Sequence, residues 1–89
     1  MNGIKYNGMM LDVASFVAKN LWLTKKIDIY HIKVTKDKYV VLADQTVDGE
    51  IITLVEVSNK IQRVAYEKCI KKLISDNIIT EDELKKYMI

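Results

Sequence analysis

The chain has no proline, three glycines, one cysteine, one histidine, one tryptophan and one phenylalanine among its 89 residues. Each scarcity closes off a class of structure or chemistry. The lone Cys69 excludes an internal disulfide and fits a reducing cytoplasm. Gly3, Gly8 and Gly49 are too scattered to build a phosphate-cradling loop. One histidine and one cysteine cannot furnish a dedicated tetrahedral metal site. No apolar run approaches the ~18 residues a membrane span needs, so no membrane association is expected. The N-terminus also lacks a basic start followed by a long apolar stretch, and no signal peptide is expected. A formal net charge of +2 is too small to imply nucleic acid by itself.

What is present points to a packed domain. The hydrophobic fraction of 49% argues against disorder, and a chain of this length makes one domain, 1–89. Among the basic residues only Arg63 is an arginine; the rest are lysines. Together with abundant Ile and Asn, this is the composition that AT-rich codons favour. It suggests a low-GC bacterium or its phage as the source.

The element order expected is α-β-β-β-α-α, an α+β fold. Asn7-Gly8 is a turn signal after a short lead-in. Met9 to about Leu23 reads as a helix apolar over most of its circumference, and hence buried on more than one side. Ile27–Val34, Tyr39–Val47 and Glu50–Val57 are rich in Ile, Val and Tyr and read as strands of an antiparallel meander. Asp48-Gly49 makes the second hairpin turn. With Val47 opposite Glu50 and Val34 opposite Tyr39, one sheet face carries Tyr30, Ile32, Val34, Tyr39, Val41, Ala43, Ile52 and Leu54. The other carries Ile27, Ile29, His31, Val40, Leu42, Val55 and Val57. Neither alternates with polar residues, so both faces are expected to be covered.

Ser58 or Asn59 is expected to cap a helix running to about Asp76, with Ile61, Val64, Ala65, Cys69, Ile70, Leu73 and Ile74 as its buried stripe. The closing segment is a helical hairpin. Asn77 suits a left-handed helix end. Thr80 and Glu83 have the spacing of a capping box, and Ile79 and Leu84 that of a hydrophobic staple. Glu81–Lys85 and Asp82–Lys86 have favourable helical spacing.

Ile70, Leu73, Asn77, Ile79, Thr80, Glu83 and Leu84 together resemble the SHOCT motif, a short helical hairpin at bacterial and phage protein C-termini. The likeness covers residues 70–88, under a quarter of the chain. Asn77 replaces the family's usual glycine and Leu84 its aromatic residue. The resemblance implies oligomerisation or docking rather than catalysis.

Reactive chemistry is sparsely represented. His31 is the one side chain that titrates naturally near neutrality, but nothing in the sequence marks a catalytic partner for it. Cys69 falls mid-helix on the apolar stripe, where a thiol behaves as a small hydrophobe. Asp44, Asp48 and Glu50 gather near a hairpin end without a calcium-loop pattern. No catalytic residue, metal site or cofactor is expected.

The function expected is therefore that of a small, cytoplasmic, non-enzymatic protein-interaction module. It would be a homodimer and an inhibitor or adaptor of the phage or mobile-element accessory kind. Its partner would be another protein, engaged through Phe16, Trp22, Tyr30 and Tyr39, since aromatic residues are enriched at interface centres. The alternative is a nucleic-acid-binding regulator. Residues 60–72 carry Lys60, Arg63, Lys68, Lys71 and Lys72 against Glu67, a local charge of +4. Tyr30 and Tyr39, beside Lys33 and Lys38, could stack bases.

Overall fold

The computed structural model describes residues 4–6, 9–11 and 17–87. A two-stranded ribbon, β1 (Ile4–Tyr6) and β2 (Met9–Leu11), precedes α1 (Ala18–Lys25). The antiparallel meander follows as β3 (Ile27–Thr35), β4 (Lys38–Val47) and β5 (Glu50–Asn59), and α2 (Gln62–Ser75) and α3 (Glu81–Tyr87) close the chain. From α1 onward the order is α-β-β-β-α-α, the α+β arrangement expected from the sequence.

The start of the chain differs from the helix expected over Met9–Leu23. Tyr6 pairs with Met9, and Met9–Leu11 is strand rather than helix; the expected Asn7-Gly8 turn lies outside the described residues. An apolar Met-Met-Leu run has no period that separates strand from helix. Phe16 lies outside the described residues. α1 spans only Ala18–Lys25 and buries Leu21, leaving Trp22 and Leu23 exposed rather than enclosed. It ends at Lys26, whose left-handed backbone (φ 55°) returns its amide to the carbonyls of Leu21 and Trp22.

Both hairpin turns of the meander sit where the sequence places them. Asp48 (φ 52°) and Gly49 (φ 80°) both take positive φ, as a two-residue turn matched to strand twist requires. Away from the turns the registers shift by one residue. Thr35 pairs with Lys38, but Lys33 pairs with Tyr39, so Val34 is an extra residue in β3. Asp44 pairs with Thr53, but Ala43 pairs with Val55, so Leu54 is an extra residue in β5. These are β-bulges on the two edge strands, where they add twist and discourage edge-to-edge pairing.

The bulges overturn the expected faces. Side-chain direction alternates, so a one-residue shift moves every residue beyond it to the opposite side. Ile27, Ile29, His31, Val41, Ala43, Val55 and Val57 share one face, and Tyr30, Ile32, Val40 and Leu42 the other. The first face packs on all three described helices. Ile27, Ile29, Val41, Ala43 and Val55 form one core with Val17 and Leu21 of the α1 segment, Ala65, Cys69, Ile70 and Leu73 of α2, and Leu84 and Tyr87 of α3. Among the described residues no helix packs on the second face, contrary to the expectation that both faces are covered: Asp28, Ile32, Glu56 and Ser58 are exposed there, and none of its described residues belongs to that core. The C-terminal hairpin does not cross to it but joins α1 on the first face.

The hairpin itself forms as its local chemistry dictates. Asn77 adopts φ 60°. Its amide donates to the Ile74 carbonyl (3.0 Å) and the Ile78 amide to the Leu73 carbonyl (2.9 Å), the two bonds of a Schellman end. The Glu83 amide donates to Thr80 Oγ1 (3.1 Å), and the Thr80 amide to Glu83 Oε1 (3.0 Å), completing the capping box. Ile79 and Leu84 are both buried. The start of α2 departs from expectation: Ile61 occupies the cap position without a side-chain bond, while Asn59 Oδ1 accepts the Ile61 amide just ahead of the helix. The i, i+4 pairs that close are Lys71–Glu67 and Lys72–Asp76 on α2, not those expected on α3.

Candidate functional site

Three surfaces hold the groups that could do work. The first is the open sheet face. Tyr30, Leu42 and Glu56 lie side by side across β3, β4 and β5, with Ile32, Val40 and Ser58 as the next row. Leu42 is only 9% exposed although it lies outside the main core, while Ile32 keeps 50% of its surface in water. The apolar centre is bordered by carboxylates at one end. Asp28 and Asp44 are direct cross-strand partners, an arrangement that like charges disfavour. The Tyr30 hydroxyl donates to Asp44 Oδ2 at 2.7 Å, and Asp44 Oδ1 is buried without a hydrogen-bond partner. Donation to Asp44 is the largest reason the Tyr30 phenol loses its proton less readily than usual; burial and the charges of Asp44, Asp28 and Glu56 act in the same direction.

The second surface lies where α2 begins. The Tyr66 hydroxyl sits 2.7 Å from His31 Nδ1, and Gln62 Nε2 approaches the same nitrogen at 3.4 Å. The Tyr66 hydroxyl can donate to this nitrogen or accept from it, so the contacts hold the ring in either tautomer. The His31 ring meets Tyr39 and Tyr66 edge-on, with centroids at 6.2 and 5.7 Å. Burial is the main factor raising Tyr66, so it is a neutral hydroxyl at ordinary pH. This cluster fixes the imidazole in place; among the described residues no carboxylate hydrogen-bonds to it. Sequence reasoning missed both partners, although Tyr66 follows Gln62 by four residues and the two must therefore share one side of α2.

The third is the exposed flank of α1. Trp22 is 44% exposed, with Lys26 Nζ 5.2 Å from its ring centroid, a cation–π contact.

The aromatic residues expected to form one patch are thus dispersed. Trp22 is on a helix of the covered side, Tyr30 on the open face, and Tyr39 in register with residues of the covered face. The five basic residues, by contrast, all lie exposed, as a solvated helix flank requires. Two of them are neutralised: Lys71 Nζ pairs with Glu67 at 3.0 Å and Lys72 Nζ with Asp76 at 3.3 Å. Lys60, Arg63 and Lys68 form no ion pair among the described residues.

Cys69 is fully buried in the core, and burial pushes its thiol up to about 12, well away from a reactive thiolate. Among the described residues no group of three or more His, Cys, Asp or Glu stands close enough to hold a metal ion. No described helix is long and apolar enough to cross a membrane. Compared with protein-family models, with curated proteins and with solved structures, the chain matches none.

Proposed function

We propose that this chain is a small non-enzymatic protein-interaction module whose working surface is the open face of its sheet. The observation that carries this reading is the apolar strip Tyr30, Ile32, Val40 and Leu42 on a face that lies outside the helix-packed core. Its border of Asp28, Asp44 and Glu56 selects a partner that presents an apolar anchor beside basic groups. Magnitudes favour transient docking. Three strands about 4.8 Å apart and ~20 Å long outline roughly 300 Å², against the ~800 Å² each partner contributes to a standard interface. Within that outline the exposed apolar part is smaller, since Leu42 is nearly covered and Ile32 is half-exposed. A homodimer would need the Trp22–Leu23 flank as a second contact. An accessory role as inhibitor or adaptor in a phage or mobile element of a low-GC bacterium fits the small size and the Lys- and Ile-rich composition. The SHOCT-like hairpin supports the same theme of association.

The test is capture from a low-GC bacterial lysate by the wild-type chain and by Ile32→Glu. The expected outcome is a protein partner retained by the wild type and lost by the variant, with unchanged circular dichroism. Equal capture by both would remove the open face as the working surface. Light scattering on wild type and Trp22→Asp tests self-association separately: a protomer mass in both cases would end the homodimer idea.

A further inference from the structure

One end of the sheet, at the β3–β4 turn, gathers basic and aromatic groups that are far apart in sequence, with Lys33, Tyr39 and His31 on the covered side and Lys38, one residue before Tyr39, on the open side. Tyr39 pairs with Lys33 on one side and with Asn59 on the other. That pairing brings the β3–β4 turn, with Lys36 and Lys38, beside Lys60 at the exit from β5. Arg63 lies one helical turn before Tyr66, and therefore on the same side of α2 as the tyrosine that touches His31. Lys33, Lys36, Lys38, Lys60 and Arg63 are all exposed, and Asp37 is the one acidic residue within the two segments that carry them. Among the described residues none of the five forms an ion pair.

The aromatic component is continuous with this charge. Lys33 Nζ stands 5.9 Å from the centroid of the Tyr39 ring, and Tyr39, His31 and Tyr66 follow one another edge to face. His31 is exposed, and the two tyrosines are half-buried.

We propose that this end of the fold binds single-stranded nucleic acid, with the cations holding phosphates and Tyr39 and His31 offering ring surface to an unpaired base. Charge alone would serve a duplex or an acidic peptide equally. The aromatic rings decide against both, because bases within a duplex are already stacked and acidic side chains have no ring to stack. The lysine-rich composition agrees, since lysine neutralises phosphate without bidentate readout, and sequence-tolerant binding needs no readout. The surface differs from a simple basic helix: Lys71 and Lys72, paired with acids on α2, stand outside it, and two cations of the hairpin turn together with Lys33 take their place.

The experiment is fluorescence anisotropy of a labelled oligothymidylate titrated with the full chain at several salt concentrations. The same measurement is made with a duplex of equal length and with a labelled polyglutamate peptide. Oligothymidylate should bind tightest, with a log–log salt slope of about −2 to −3 for three to four phosphates neutralised. Lys33→Gln and Lys60→Gln, which touch only exposed side chains, should each flatten that slope by about 0.7. Tyr39→Leu should weaken binding by about 5- to 150-fold, the usual cost of losing one stacked base. Lys85→Gln/Lys86→Gln, on α3, should change nothing. Four results would overturn the proposal: no binding at low salt by folded protein, polyglutamate or duplex binding as tightly as the single strand, equal losses from the α3 control, or no effect of Lys33→Gln and Lys60→Gln.

Discussion

The two faces of this sheet are made of the same strands, yet they serve opposite ends. One is closed by three helices and holds the fold together. The other carries Tyr30, Ile32, Val40 and Leu42 outside that core, edged by Asp28, Asp44 and Glu56. Their polarity differs only in the register the chain adopts, in which Asp28, Asp44, Glu56 and Ser58 all fall on the open side. What separates them is the register, and two single-residue bulges at Val34 and Leu54 set it. A β-face is a property of pairing, and pairing can be reassigned without changing composition.

The sharpest way to break that contrast is to insert one alanine between Val55 and Glu56. Ala43 would keep Val55 as its partner, but Glu56 would then stand opposite Val41 on the covered side and Val57 would swing to the open side. Loss of cooperative thermal unfolding, followed by circular dichroism, is the expected outcome; a folded variant would show that register is not what defines the faces. A smaller effect is expected from Leu73→Ala, at a fully buried position of α2. Cavity formation there should cost about 2–5 kcal/mol in denaturant unfolding.

Next comes the seam between α1 and α3. Lys25 Nζ lies 3.0 Å from Glu83 Oε2, the Tyr87 hydroxyl donates to the same oxygen at 3.2 Å, and Thr24 Oγ1 lies 2.9 Å from that hydroxyl. Thr80→Ala removes the cap at this seam and should cost about 1 kcal/mol. Donation from Lys25 is the largest influence lowering Glu83, opposed by partial desolvation and reinforced by the Thr80 amide and the Tyr87 hydroxyl. A carboxyl held below its ordinary value stabilises the fold fully above that value, and the contribution fades as pH falls through the folded-state value. Wild type should therefore lose stability below about pH 4.5 more steeply than Glu83→Gln, as read from thermal midpoints across pH. The smallest effect belongs to the open face. Ile32→Lys, at a half-exposed position, should shift stability by no more than about 0.5 kcal/mol. A large loss would mean that the open face is structural after all.

The C-terminal hairpin was legible in full because every determinant is local. Asn77, Ile79, Thr80, Glu83 and Leu84 act within a few residues of one another, and each takes the predicted role. The turn at Asp48-Gly49 was legible for the same reason. The bulges were not: neither Val34 nor Leu54 is a residue type that marks one. That Met9–Leu11 is strand was not legible either, because only its pairing with Ile4–Tyr6 distinguishes it from helix. Among the candidate site residues, the exposure of Lys68, Lys71 and Lys72 follows from helical period, whereas Lys60 precedes α2. The scattering of Trp22, Tyr30 and Tyr39 does not follow from local period, because it depends on register and on which side of the sheet α1 occupies.

By itself the sequence determined the kinds of elements from α1 onward, their order, both meander turns and the complete closing hairpin, since propensity, capping and turn geometry act over a handful of neighbours. Only the tertiary structure decided which side of the sheet the helices would cover, which aromatic rings would meet, and which lysines would keep their charge free. Those outcomes turn on contacts between segments tens of residues apart, where one inserted residue in a strand exchanges inside for outside.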